Sequence, residues 1–208
     1  MIAIDNHFKK IKKFNIPSNC NYLDIGNNKL KSLELNDKLV FLNCFANQLT
    51  SLKVSDNVQV LKASFNQIKN IELNDTLQIL DIAANALSKI NLNKNLKKLE
   101  IGMNNLKELK LNEALEELEC SFNELTRLEL NENLQFLECT CNFITHLVLN
   151  ENLVELKATG NPLQYIKLNK KVKRIEIDKE LKNKIVIDNS VNNNIFKISS
   201  FSSIITCS

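Results

Sequence analysis

Residues 118–136 read LECSFNELTRLELNENLQF, and the same residue types return at the same offsets from Leu23 to Arg174. With Leu118 as position 1 of a 19-residue unit, position 6 is Asn28, Asn47, Asn66, Asn85, Asn104, Asn123, Asn142 and Asn161, eight in succession with no insertion or deletion. A period kept in phase over so many units implies a solenoid, because a unit this short buries its apolar side chains only against its neighbours.

Seven positions of each coil are expected to point inward: 1, 3, 6, 8, 11, 13 and 17, as in Leu118, Cys120, Asn123, Leu125, Leu128, Leu130 and Leu134. Apolar residues two apart mark two short extended segments, Leu118-Glu119-Cys120 and Leu128-Glu129-Leu130, and no stretch has helical period. A coil of 19 residues with two such segments and two corners has no room for an outer helix. The expected fold is therefore mostly β, with little or no helix, a parallel sheet on the concave side and an extended or strand-like convex side. At an inter-strand spacing of about 4.8 Å, the coils stack into a spine of roughly 40 Å with slight curvature.

The corners explain the asparagines. A buried side chain carrying both a carbonyl and an amide satisfies backbone groups that the strand ladder no longer serves where the chain turns. Position 6 forms one structural ladder. Position 14 forms a second at the opposite corner, with Asn36, Asn74, Asn93, Asn112, Asn131, Asn150 and Asn169, and Ser55 as the exception.

The ends depart from the pattern. Residues 1–22 read as an N-terminal capping half-coil: Ile11, Phe14, Ile16 and Cys20 hold positions 8, 11, 13 and 17, while Lys9 stands in place of the asparagine. The cluster Lys9, Lys10, Lys12 and Lys13 suits the solvated outer face of a cap. Eight full repeats fill 23–174, a degenerate coil follows over 175–191, with Glu180 and Lys182 replacing Asn and Leu, and 192–208 reads as an edge strand or tail.

One domain is expected from 208 residues, most of them inside the period. The net charge of +3 comes from interleaved acidic and basic residues, so no nucleic acid is expected as partner. No apolar run approaches the roughly 18 residues of a membrane span, and the apolar start stops at Asp5. The expected location is cytoplasmic, in the producing cell or in a host cell.

Of six cysteines, Cys44, Cys120 and Cys139 fall at position 3, where other coils carry Ile25, Ile82, Ile101, Ala63 or Ala158. They read as small buried hydrophobes, which fits a reducing compartment. Cys141 lies near the edge with no histidine close by, so a zinc site built on the cysteines is not expected. His7 in the cap and His146 at position 10 make no dyad. Neither metal nor cofactor is expected. Without a glycine-rich phosphate loop, a nucleophile elbow or a histidine-containing triad, no enzymatic role is expected either.

The run Leu115-x-x-Leu118-x-Cys120-x-x-Asn123-x-Leu125 resembles the LxxLx[LC]xxNxL signature of the leucine-rich-repeat family and recurs through 23–174. The short period is similar to bacterial repeats of about 20 to 21 residues, including those of secreted effector proteins, and to leucine-rich-repeat proteins of giant amoeba viruses. The resemblance implies protein–protein binding on the concave sheet. The chain departs from the effector class in lacking Leu-Pro pairs on the convex side, having only Pro17 and Pro162. It also lacks a catalytic domain such as the ubiquitin-ligase part of some effectors.

The exposed residues of the concave sheet are expected at positions 19, 2 and 4. In the N-terminal half these give Phe41, Val60 and Ile79 beside Phe45, an apolar patch of the kind that marks an interface. Farther along come Glu100, Glu117, Glu119, Glu138, Glu155 and Glu176, an acidic stripe with Phe136 set in it and Lys98, Lys157 and Arg174 partly offsetting it. The expected partner is another protein with an apolar anchor and a basic flank. Two other readings stay open: a structural or self-assembling solenoid, and a substrate-recognition adaptor of a larger complex.

Overall fold

In a computed structural model, which describes residues 2–178 and 185–186, the chain winds into a stack of coils with no helix among the described residues. Ten strands form one continuous parallel sheet: β1 (Ile2–Asp5), β2 (Cys20–Asp24), β3 (Phe41–Asn43), β5 (Val60–Lys62), β7 (Ile79–Asp81), β8 (Lys98–Glu100), β9 (Glu117–Glu119), β10 (Phe136–Glu138), β12 (Glu155–Lys157) and β14 (Arg174–Glu176). On the opposite side, β4 (Ser51–Lys53) pairs with β6 (Asn70–Glu72), and β11 (His146–Val148), β13 (Tyr165–Lys167) and β15 (Ile185–Val186) form a second short ladder. Glu180, Lys182 and the stretch 192–208 lie outside the described residues.

The sheet strands occupy positions 19, 1 and 2, one residue earlier than the pattern of apolar residues suggests. Pairing does continue into position 3, where the Cys120 N–H donates to the Glu138 carbonyl at 2.8 Å. Two residues later the chain leaves the sheet through a left-handed residue. Position 5 has positive φ in every coil: Asn27, Ala46, Phe65, Ala84, Met103, Phe122 and Cys141 at 49–55°, and Gly160 at 68°. That corner brings the next residue, the asparagine, inward.

The outer side divides unevenly. Positions 10 to 12 pair as strands near both ends, whereas Lys89–Asn91, Glu108–Lys110 and Arg127–Glu129 carry no strand. Burial follows the same asymmetry. Leucines at position 1, such as Leu42, Leu80 and Leu118, are wholly buried, while Ile71, Ile90, Leu92, Leu111 and Leu130 on the outer side are only partly so. The driest part of the core therefore lies directly behind the long sheet.

Both asparagine ladders are in place. Asn123 Nδ2 donates to Cys120 O in its own coil and to Ile101 O in the coil before, each at 3.1 Å. At position 14, Asn131 donates to Leu115 O at 3.0 Å and its Oδ1 accepts the Leu134 N–H at 2.9 Å. A third ladder was not legible as buried polarity: at the exposed position 16, Asn57, Asn95, Asn133 and Asn152 each donate to a carbonyl of the preceding coil, as Asn133 does to Glu113 O at 2.8 Å. No helix of the described residues is long and apolar enough to cross a membrane.

Candidate interaction surface

The register of the long sheet puts identical positions of successive coils side by side, so position 19 becomes a column. Phe41 pairs with Tyr22 on one side and Val60 on the other, and Val60 pairs with Ile79. Four apolar side chains thus stand on four consecutive rungs. Tyr22 and Phe41 stack with ring centroids 4.1 Å apart and planes 3° from parallel. Phe41, Val60 and Ile79 are half-buried and Tyr22 is exposed. Phe45, beside the column at position 4, meets Phe65 edge-on at 5.2 Å, which extends the apolar surface to the corner.

Tyr22 and Phe65 are the members that the sequence pattern did not single out. Tyr22 holds position 19 of the rung before Leu23, and its place in the column follows once the cap is counted as a coil. Phe65 holds the left-handed position 5, where Asn27 and Gly160 are the residues expected on backbone grounds. Phe65, Met103 and Phe122 are instead large, apolar and exposed at that corner.

Beyond Ile79 the column runs Lys98, Glu117, Phe136, Glu155 and Arg174, charged but for Phe136, and its acids are engaged within the sheet. Lys98 Nζ sits 3.1 Å from Glu117 and 3.2 Å from Glu100, and the hydrogen bonds it donates to the Glu117 and Glu100 carboxylates hold its ammonium above the ordinary lysine range. Lys157 lies 3.0 Å from Glu138 and 5.7 Å from the centre of the Phe136 ring. Arg174 pairs with Glu155.

Glu119 behaves differently. Its Oε2 accepts the Gly102 N–H at 3.1 Å and its Oε1 accepts the Ser121 N–H at 2.9 Å. Gly102 makes room for this, since a Cβ there would stand 2.5 Å from Oε2. Burial pushes the Glu119 carboxyl up; the Ser121 and Gly102 hydrogen bonds pull it down, and neighbouring Glu138 adds to the rise. The acidic stripe, expected to be partly offset by Lys98, Lys157 and Arg174, is thus largely a set of local pairs with those residues plus one carboxylate folded back onto the backbone.

Cys44, Cys120 and Cys139 are buried at position 3, as expected, and Cys20 is buried at position 17; Cys141, expected near the edge, is buried too, because the left-handed corner at position 5 tucks it under Gly160. Among the described residues Cys20, Cys44, Cys120 and Cys139 form no disulfide. Burial pushes Cys44 and Cys139 up to about 12, so neither is a thiolate near neutrality.

A repeating coil, a ten-stranded parallel sheet and corner asparagines have close counterparts among solved structures. YopM from Yersinia enterocolitica superposes with a TM-score of 0.72 at 30% identity, over 87% of this chain and 47% of that chain. The chain has the leucine-rich-repeat solenoid fold. A Shigella effector leucine-rich-repeat domain matches at 27% identity and TM-score 0.55, over 68% of this chain and 67% of that one. The functional domain of InlJ from Listeria monocytogenes, which includes a cysteine ladder, shares the fold at 20% identity and TM-score 0.56, over 90% and 61% of the two chains. The leucine-rich-repeat chain described here spans about half the length of the Yersinia protein. No family model and no curated protein matches the sequence.

Proposed function

We propose that this leucine-rich-repeat chain is a non-enzymatic scaffold that binds another protein on its long sheet. The observation that carries the reading is the column Tyr22, Phe41, Val60 and Ile79, apolar on four successive rungs, followed by Lys98 and Glu117 on the next two. Phe45 widens this anchor, and Glu100, Glu117, Glu119 and Glu138 with Phe136 form its flank. A basic segment of the partner would exchange with Lys98 and Lys157 for their carboxylates. The anchor therefore supplies affinity, and the flank governs register and rate of association.

The reading places the protein in a cytoplasm, of the producing cell or of a host cell, where buried free thiols persist. The effectors among its structural neighbours support a scaffold role in general and leave the partner to experiment. A photo-crosslinking residue placed at Ile79 should capture a discrete partner in the cell of origin, whereas the same residue at Lys53 on the opposite side should not. Equal capture at both sites would overturn the assignment of the face.

A further inference from the structure

At the N-terminal end of the same sheet, three ligand-type side chains converge on the first two rungs. Asp5 closes β1 and pairs with Asp24 at the end of β2, and His7 follows two residues later, across from Gly26. Ligand atoms of Asp5, His7 and Asp24 all lie within 4.8 Å of one another. His7 Nδ1 stands 2.5 Å from Asp24 Oδ1. The imidazole turns its Cε1 corner to Gly26, where a Cβ would come within 2.5 Å of that atom. That glycine is the cradle in which the ring sits.

The carboxylate and the ring are both held from behind. Asp24 accepts the Gly26 N–H at 3.1 Å on Oδ1 and the Asn43 amide at 2.9 Å on Oδ2. The Asn27 amide lies 2.8 Å from His7 Nε2. The amide nitrogen donates to Nε2, so the ring proton sits on Nδ1 and is donated to Asp24 Oδ1, the place a metal ion takes when it displaces that proton. The Asp5 carboxylate accepts the His7 N–H at 3.1 Å, which ties the third ligand to the same turn.

We propose that Asp5, His7 and Asp24 bind a divalent transition-metal ion of the zinc, cobalt or nickel class. Once the Nδ1 proton leaves, two acceptors, the Nδ1 lone pair and a carboxylate oxygen, face each other, and a cation between them satisfies both. One imidazole nitrogen and two carboxylate oxygens make a three-ligand open set, completed by water. The imidazole selects against calcium and magnesium, which take oxygen ligands, and the absence of thiolate from the set selects against copper(I). The His7 and Asp24 side chains are 28% and 21% exposed, so the ion has access from solvent. Tetrahedral ligands about 2.0–2.1 Å from a metal stand about 3.3 Å apart, so His7 Nδ1 and Asp24 Oδ1, now 2.5 Å apart, would part slightly and the exposed Asp5 carboxylate would swing inward. The expectation of a metal-free chain came from the cysteines and from the distance in sequence between His7 and His146, neither of which bears on this cluster.

The alternative is a simple histidine–aspartate hydrogen bond, and a titration decides between them. Calorimetry of the full chain with zinc chloride should show one equivalent bound with a micromolar Kd, and cobalt(II) should give visible d–d bands. Loss of one ligand weakens binding by about tenfold or more in H7Q, D5N and D24N. His146→Gln should bind zinc as the unaltered chain does. D5N changes an exposed side chain, so it reports on binding even where D24N disturbs the Asn43 and Gly26 contacts. Absence of binding at millimolar zinc, or binding unchanged by H7Q and D5N, would overturn the proposal.

Discussion

The Oδ1 of Asn123 accepts the Leu106 N–H of the preceding coil at 3.0 Å, while its amide donates to carbonyls of both coils. One side chain thus closes the corner of its own coil and pins it to its neighbour, which is why the position tolerates no other residue over eight repeats. Asn123→Ala or Asn104→Ala should destabilise by about 1–3 kcal/mol, since each leaves buried backbone groups unpaired. Asn133→Ala removes only a solvent-exposed hydrogen bond to Glu113 O and should cost a few tenths of a kcal/mol, about the size of a surface change. Urea midpoints for the three variants check the ranking; equal losses would show that the exposed ladder matters as much as the buried one.

The left-handed corner makes a prediction of opposite signs. Ala84 has φ of 51°, a conformation that costs an L residue about 1–2 kcal/mol. Ala84→Gly relieves it but adds about 0.5–1 kcal/mol of unfolded-chain entropy, so a net gain of about 0.5 kcal/mol is expected. Gly160→Ala acquires the strain and places a Cβ 3.0 Å from Cys141 Sγ, so it should lose about 1–2 kcal/mol. Chemical denaturation of the pair tests this, and a destabilised Ala84→Gly would mean the corner is set by packing.

Glu119 gives a pH signature. Its carboxyl is raised in the folded chain, chiefly by burial, so the folded state holds the proton more tightly than the unfolded one. Its contribution is fully present below the ordinary carboxylate value and is lost as pH rises through the raised folded value. Relative to Glu119→Gln, the unaltered protein should therefore lose stability as pH climbs across that window. Melting curves of the two proteins from pH 4 to pH 8 should diverge in that direction, and parallel curves would contradict it.

Thiol chemistry is a further check. With pKa values of about 12, Cys44 and Cys139 carry roughly one thiolate in ten thousand at pH 8 and have no solvent exposure. Iodoacetamide should leave both unmodified in the native protein and alkylate them after guanidinium is added. Rapid native modification of either, seen by peptide mass spectrometry, would place it outside the core.

How much of this is legible in the sequence depends on what the period controls. Leu118, Cys120 and Asn123 are fixed by register, because every coil must offer its neighbour the same surface. So is the alignment of Phe41, Val60 and Ile79. The Lys98 bridge between Glu100 and Glu117 is not, since the period places backbones and says nothing of where a long side chain leans. Tyr22 and His7 were hidden by a boundary. Residues 2–5 already form a rung, so Asp5 shares position 2 with Asp24, and His7 shares position 4 with Gly26. Counting the period backwards through the cap would have joined them. The broken outer ladder has no sequence signal, because Ile90, Leu109 and Leu128 repeat the same residue types as Leu52 and Leu147, which do lie in strands.

The strongest prediction concerns the apolar column. A carboxylate introduced at Phe41 would stand between Tyr22 and Val60, remove a stacked ring and bring charge into the middle of the anchor. Phe41→Glu should abolish capture of the partner while leaving the coil intact, since the side chain projects from the face and only Leu42 behind it enters the core. Glu119 is a poor probe of the flank because Gly102 and Ser121 depend on its carboxylate. Glu117 is exposed and bonded only to Lys98, so Glu117→Lys isolates the electrostatic part. It should slow association and reduce its dependence on salt, with little change in the dissociation rate. Surface plasmon resonance against the crosslinked partner separates the two effects. Unchanged binding in both variants, together with its loss on substitution of Lys53 or Glu72, would move the interface to the opposite side of the solenoid.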